Sequence, residues 1–166
     1  MEIQHRQKLI FQNVWKNTDS EIRDQVISIW KNFSKLTPEK IDERIGQLLY
    51  VVKNEDNKVV GISTAFKTYI KQLRNHLYVY RCMITPDSSI PGLDAKLTVM
   101  SRDFLESIHR ADGSGEAIGV LALIENPKLK ERALAKWPAS GFVYIGNSME
   151  GKHIRVYYFK GARINS

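Results

Sequence analysis

The chain has 166 residues, of which 43% are apolar and 26% charged, proportions that suit one globular domain with a real core. It carries 25 basic against 18 acidic side chains, a net charge of +7, which favours an anionic partner or else marks a solvated basic surface with no specific partner. A lone cysteine, Cys82, excludes an internal disulfide, while the absence of an apolar h-region near Met1 or of a membrane-length apolar run predicts a cytoplasmic protein with no membrane association.

Leu9-Ile10-Phe11 and Val14-Trp15 read as a first strand. Thr18-Asp19-Ser20-Glu21 has the Thr-x-x-Glu form of a capping box, and Ile22, Val26, Ile29, Trp30 and Phe33 then fall on one helical face. Thr37-Pro38 caps and opens a second helix that is expected to bury Ile41, Ile45 and Leu48. Strand-like runs from Leu49 to Val52 and from Val59 to Phe66, the second extending to Tyr69 or Ile70, flank an Asn54-to-Asn57 turn. Lys71 to Asn75 interrupts the pattern before a third meander strand, Tyr78 to Ile84.

A polar loop, Thr85 to Gly92, leads into a helix with apolar positions at Leu93, Leu97, Met100, Phe104 and Ile108. Ala117 to Ile124 is a nearly unbroken apolar run, as expected of a strand buried on both faces. Asn126-Pro127 starts another predicted helix, with Leu129, Ala133, Leu134 and Trp137 inside and Pro138 at its end. Gly141 to Ile145 and Ile154 to Phe159 form a closing hairpin. The order β-α-α-β-β-β-α-β-α-β-β predicts an α/β (α+β) domain spanning residues 1–166, with a mixed sheet of about seven strands. The Tyr78 strand, its helix and the Ala117 strand make the expected right-handed parallel crossover.

A strand that ends in a glycine-containing loop and feeds a helix gathers unpaired N–H groups at the positive end of the helix dipole, a place suited to anions. Basic residues concentrate at Lys67 to His76, Lys128 to Lys136 and Lys152 to Arg163, and acidic ones between Asp19 and Asp56. The four histidines and the single cysteine show no metal-ligand spacing, so no metal is expected. Cys82, mid-strand among apolar neighbours, reads as a buried, inert thiol.

This order and its strand-Pro-loop-helix centre resemble the GNAT acetyltransferase superfamily over nearly the whole chain. Ile84-Thr85-Pro86 matches the hydrophobic-x-Pro strand exit, and Gly141-Phe142 matches the family's later Gly-Phe. Within the pyrophosphate loop, Arg-Gly-x-Gly-x-Gly/Ala, the Arg aligns with Ser89 and the glycines with Ile90, Gly92 and Asp94, so that only Gly92 is kept. The resemblance implies acetyl-CoA as co-substrate, held by the main chain of that loop. It also implies that a strand N–H near Met83 serves the oxyanion, with Met83 and Ile84 both at the cofactor. Ile90 narrows the approach and Asp94 repels a diphosphate, whereas Ser88 and Ser89 can donate hydrogen bonds and Lys96 can offset the anion if it points inward.

Acyl transfer to an amine also requires a base for the ammonium and an acid for the thiolate. The family's Glu-base position falls on Tyr78, a phenol better suited to giving a proton, which shares a strand face with Tyr80 and Cys82 and can equally serve as core packing. The family's acidic Tyr position holds Trp137, leaving Tyr144 as a substitute. Glu125 can act as a base through water and Asn126 can bind a pantetheine amide; both equally serve the start of the predicted helix.

Three functions follow. The first is an N-acyltransferase with a small-molecule or protein amine acceptor. The second is a GNAT-fold binding protein that has lost catalysis. The third is a nucleic-acid or acidic-protein binder using Arg155, Tyr157, Tyr158, Lys160 and Arg163, whose alternation also fits an edge strand with a charged outer face. A homodimer through the closing hairpin is implied by the family resemblance alone.

Overall fold

The computed structural model describes residues 8–88, 90–112, 117–124 and 136–162. Its seven strands, β1 (Ile10–Asn13), β2 (Leu48–Lys53), β3 (Val59–Ile70), β4 (Asn75–Ile84), β5 (Ala117–Ile124), β6 (Val143–Asn147) and β7 (His153–Tyr158), lie in the order β1-β2-β3-β4-β5-β7-β6. The described helices are α1 (Ser20–Phe33), α2 (Pro38–Ile45) and α3 (Leu93–Asp112). The expected mixed sheet is borne out: β1, β2 and β3 pair antiparallel, β4 runs parallel to β5, and β7 lies antiparallel between β5 and β6. The helix expected from Asn126 lies largely in 125–135, outside the described residues.

The chain divides into two compact units: Met1–Thr64 with Cys82–Leu97, and Ala65–Arg81 with Thr98–Ser166. In the first, Ile22, Val26, Ile29 and Trp30 of α1 and Ile41 of α2 pack on Val51 and Ile62, with Met83 against the same cluster. On the opposite strand faces, Val52 and Val60 pack with Leu93 and Leu97, and Ile84 joins them. Neighbouring residues of a strand point to opposite faces, so Met83 and Ile84 serve different clusters.

In the second unit, Leu77, Ile118, Leu121 and Val156 form the core. The first six residues of β5 are buried, as its continuous apolar run requires. A Cβ at Gly119 would collide with the carbonyl oxygen of Tyr157, so the β5–β7 ladder closes only over glycine.

Several local expectations are corrected. Asp19, not Thr18, caps α1: its Oδ1 accepts from Ile22 N–H at 2.8 Å, while the Thr18 hydroxyl turns back to the Val14 carbonyl. The first position before the helix is the one whose side chain reaches the third helical N–H, and that is Asp19. Phe33, at the last residue of α1, is 51% exposed rather than part of the apolar stripe. Leu48 is buried, but as the first residue of β2, because α2 ends at Ile45. The buried stripe of α3 runs Leu93, Leu97, Ser101, Leu105, a four-residue repeat, while Met100, Phe104 and Ile108 are only half-buried.

Candidate functional site

β4 leaves the sheet through Thr85, whose N–H donates to the Val60 carbonyl at 2.8 Å. A single 3₁₀ turn, Pro86–Ser88, follows, closed by Ser88 N–H on the Thr85 carbonyl at 3.0 Å. The chain then turns at Gly92, with φ +83, into α3. Nothing lies within 4 Å of the position a Gly92 Cβ would occupy, so the main chain faces open space there. Leu93 N–H donates to the Ile90 carbonyl and Lys96 N–H to that of Gly92. Among the described residues, the N–H groups of Gly92 and Asp94 meet no acceptor.

Asp94 has a different effect. Its carboxylate accepts from Ala95 N–H at 2.9 Å, so one helix-start donor is already held by an anion of the chain itself. Ile90 is 38% exposed and turns one apolar flank toward the loop's surroundings. Beside the loop lies a groove of about 280 Å³, walled by Leu9 and Phe11 on one side and by Ile90 to Leu93 with Lys96 on the other. The Lys96 ammonium, on an exposed residue lining this groove, stands 4.7 Å from the centre of the Phe11 ring. The loop's main chain, its open glycine and this cation fit a diphosphate; the Asp94 carboxylate and Ile90 narrow the fit without filling the Gly92 approach.

The strand candidates sit as follows. Tyr78 is half-buried with its ring 6.4 Å from that of Phe159, and Tyr80 is buried with its hydroxyl 3.2 Å from Thr98 Oγ1 on α3. Cys82 is exposed, a correction to its expected burial. The β4–β5 register ends at Tyr80 with Ala122, so the residues after Tyr80 lie outside that ladder.

Tyr144, on the outermost strand β6, is 38% exposed and donates to Asn147 Oδ1 at 2.8 Å, its ring 5.0 Å from that of His153. Trp137, in the family's Tyr position, is stacked instead: the Arg155 guanidinium lies 4.0 Å from its ring centre. Ser89, Glu125 and Asn126 lie outside the described residues. Among the described residues no three His, Cys, Asp or Glu side chains group to hold a metal, and no helix is long and apolar enough to cross a membrane.

The basic face expected on the last strand is not formed by Arg155 and Tyr157, whereas Tyr158 and Lys160 are exposed and Arg163 lies outside the described residues. β7 lies inside the sheet, not at its edge, and Arg155 is 1% exposed. Burial pulls the Arg155 pKa below its usual value, the cost of removing a guanidinium from water. Tyr157 donates to Glu106 Oε2 at 3.1 Å, and the same oxygen accepts from Lys160 N–H at 3.0 Å. Burial first, and then the Glu106 hydrogen bond and charge, push the Tyr157 phenol above its usual pKa. Arg155 and Tyr157 are therefore committed inward, and neither is available to a nucleic acid.

Two features escaped the sequence reading. Nothing in a strand residue such as Phe11 announces that it will meet Lys96, because that contact depends on how β1 pairs with β2. Glu106, buried with the Tyr157 hydroxyl and the Lys160 amide upon it, carries no mark in the sequence, since a lone glutamate on a helix is ordinarily a solvated charge.

The chain has the fold of the GNAT acetyltransferases. The mosquito arylalkylamine N-acetyltransferase like 5b superposes with a TM-score of 0.64 at 10% identity, covering 92% of this chain and 100% of that one. Arabidopsis thaliana NAA60, solved in complex with acetyl-CoA, gives 0.60 at 11% identity over 92% and 100%. An acetyltransferase of the GNAT family from Streptococcus pneumoniae gives 0.55 at 13% identity over 92% and 99%. No family model and no curated protein matches the sequence.

Proposed function

We propose that the chain is a cytoplasmic, single-domain N-acyltransferase that moves an acetyl group from acetyl-CoA to the amine of a small-molecule or protein acceptor. The observation that carries this reading is Gly92: a left-handed turn with open space before it, at the start of α3, with its own N–H and that of Asp94 unengaged among the described residues. Such a turn offers main-chain donors to a diphosphate, with Ser89 and Ile90 flanking it. Bound there, acetyl-CoA supplies an activated thioester.

The remaining work falls to this chain. The amine nitrogen attacks the thioester carbonyl, the C–S bond breaks, and the thiolate takes up a proton as the amine loses one. The backbone at Met83 and Ile84 offers an oxyanion donor that no side-chain replacement removes. Tyr78 and Tyr144 are candidate proton donors, Glu125 a candidate base and Asn126 a candidate pantetheine partner.

A second reading, a GNAT-fold protein that binds without catalysis, is favoured by the Asp94 carboxylate on Ala95 N–H and by Trp137 where the family has tyrosine. Thermal denaturation with coenzyme A separates these readings from a fold put to unrelated use. At 100 times its Kd the cofactor adds about 2.7 kcal/mol of stability. No shift at millimolar cofactor overturns both. A shift without thiol release from acetyl-CoA over a panel of amines leaves only the binding protein.

A further inference from the structure

The turn between β3 and β4 carries positive charge that no acid offsets in its own stretch of chain. Between Asp56 and Asp87 the sequence holds no carboxylate side chain, and its cations there include Lys67, Lys71 and Arg74. β3 is buried from Val59 to Ala65 and then alternates, with Lys67 and Tyr69 exposed and Phe66, Thr68 and Ile70 half-buried. Lys67 and Tyr69 therefore share an outer face. A 3₁₀ turn, Lys71–Leu73, follows, and Arg74 closes it. Ile70 and Leu73 pack down on the core of Leu77, Ile118, Leu121 and Val156, while Lys71 and Arg74 stay exposed. Asn75, 3% exposed, braces the turn by donating from Nδ2 to the Leu73 carbonyl at 2.8 Å. The cations thus stand on a fixed support, and all of them belong to the second compact unit.

Two further observations narrow the ligand. Tyr69 is 52% exposed, its ring centre 5.3 Å from that of His76 at an interplanar angle of 64°, so an aromatic surface lies among the cations. Arg74 adopts φ +51, a left-handed conformation that glycine or asparagine enters more easily, and it forms no ion pair among the described residues. An acidic protein would need only the charges. A chain of phosphates and bases uses the cations and the ring together, and an unpaired base is the one that offers its face for stacking. We propose that this turn binds single-stranded nucleic acid, with Lys67, Lys71 and Arg74 on phosphates and Tyr69 stacked on a base. The surface is separate from the last strand, whose Arg155 and Tyr157 are committed inward, and the inference does not depend on the cofactor reading.

The test is fluorescence anisotropy of labelled oligouridylate and oligothymidylate with the intact protein across a salt series. Phosphate contacts from Lys67, Lys71 and Arg74 predict a slope of log affinity against log salt of about −2, each contact giving about −0.7 on a single strand. Arg74→Gly removes the cation while glycine suits the left-handed turn. It should weaken binding about fivefold at low salt, reduce the slope to about −1.4 and leave thermal stability equal or higher. Tyr69→Ala should weaken binding at least about fivefold with the slope unchanged, and Tyr69→Phe should restore it. Lys40→Gln, on the exposed face of α2, should change neither affinity nor slope.

Binding of either strand in this pattern supports the proposal, and the tighter of the two names the sugar. No binding at low salt overturns it, as does binding that Arg74→Gly and Tyr69→Ala leave intact. Polyglutamate that displaces the bound strand at equal charge concentration also overturns it, since charge alone is then recognised.

Discussion

The two compact units use polar side chains in opposite ways. Around the start of α3, Asp94 and Lys96 act at the surface: one caps its neighbour's N–H, the other stands over an aromatic ring at an open groove. In the unit built on β5, β7 and the later turns of α3, polar groups turn inward and satisfy one another. Glu106, 8% exposed, holds both the Tyr157 hydroxyl and the Lys160 amide, and Arg102 reaches the Ser140 carbonyl while lying 4.8 Å from the Tyr157 ring centre. A charge that remains solvated can be spent on a ligand. One that is buried is committed to the fold, since leaving its partners unpaired costs more than the bond itself returns.

Substitutions should therefore separate stability from binding according to the region they strike. The largest effect is expected at Gly119. Any Cβ there meets the Tyr157 backbone, which cannot move aside as a side-chain end does, so Gly119→Ala should lower the unfolding free energy by about 3 kcal/mol. Urea denaturation measures it, and a loss below about 0.5 kcal/mol would mean that the β5–β7 ladder is looser than drawn.

Glu106→Ala comes next, at about 2 kcal/mol, because it strands a phenol and an amide donor away from water. Cofactor affinity per folded molecule should stay unchanged. A variant that kept its stability but lost binding would reverse the contrast between the units.

The division also explains what could be read from the sequence. Strand and helix order was legible because apolar periodicity records burial directly, as in the Ala117-to-Ile124 run and the Ile22-Val26-Ile29 face. Periodicity failed where burial did not follow hydropathy. Ser101 and Glu106 are buried while Phe33 and Cys82 are not, since a small hydroxyl fits a tight helix contact and a strand residue past the end of its ladder meets solvent. The loop was legible as a place, through Pro86 and Gly92, but not as a chemistry. Whether Asp94 blocks an anion or merely caps a helix depends on which N–H its carboxylate takes, and that is a matter of side-chain rotamer.

Asp94 sharpens the contrast on the binding side. Asp94→Asn removes a negative charge from the loop and weakens the hold on Ala95 N–H, so coenzyme A should bind about threefold more tightly. Stability should fall by only about 0.5 kcal/mol, the worth of a carboxylate at an exposed helix start. Weaker binding would instead assign Asp94 a positive part in holding the cofactor.

The smallest effect concerns pH and belongs to the buried network. The fold raises the Tyr157 pKa, chiefly by burial and then through Glu106, so the native state favours the neutral phenol more than the unfolded chain does. This contribution is complete below the unfolded value of about 10 and is lost as pH rises through the folded value, because the unfolded chain releases its proton first. Tyr157→Phe cannot ionise and escapes that loss. The stability gap between wild type and Tyr157→Phe should hence be constant from neutrality to about pH 9 and narrow above about pH 10, where the unfolded wild-type chain alone gains a phenolate while the folded phenol stays neutral. A gap that stayed parallel through the alkaline range would mean that Glu106 and the phenol are not coupled in the folded protein, and the inward commitment of β7 would rest on packing alone.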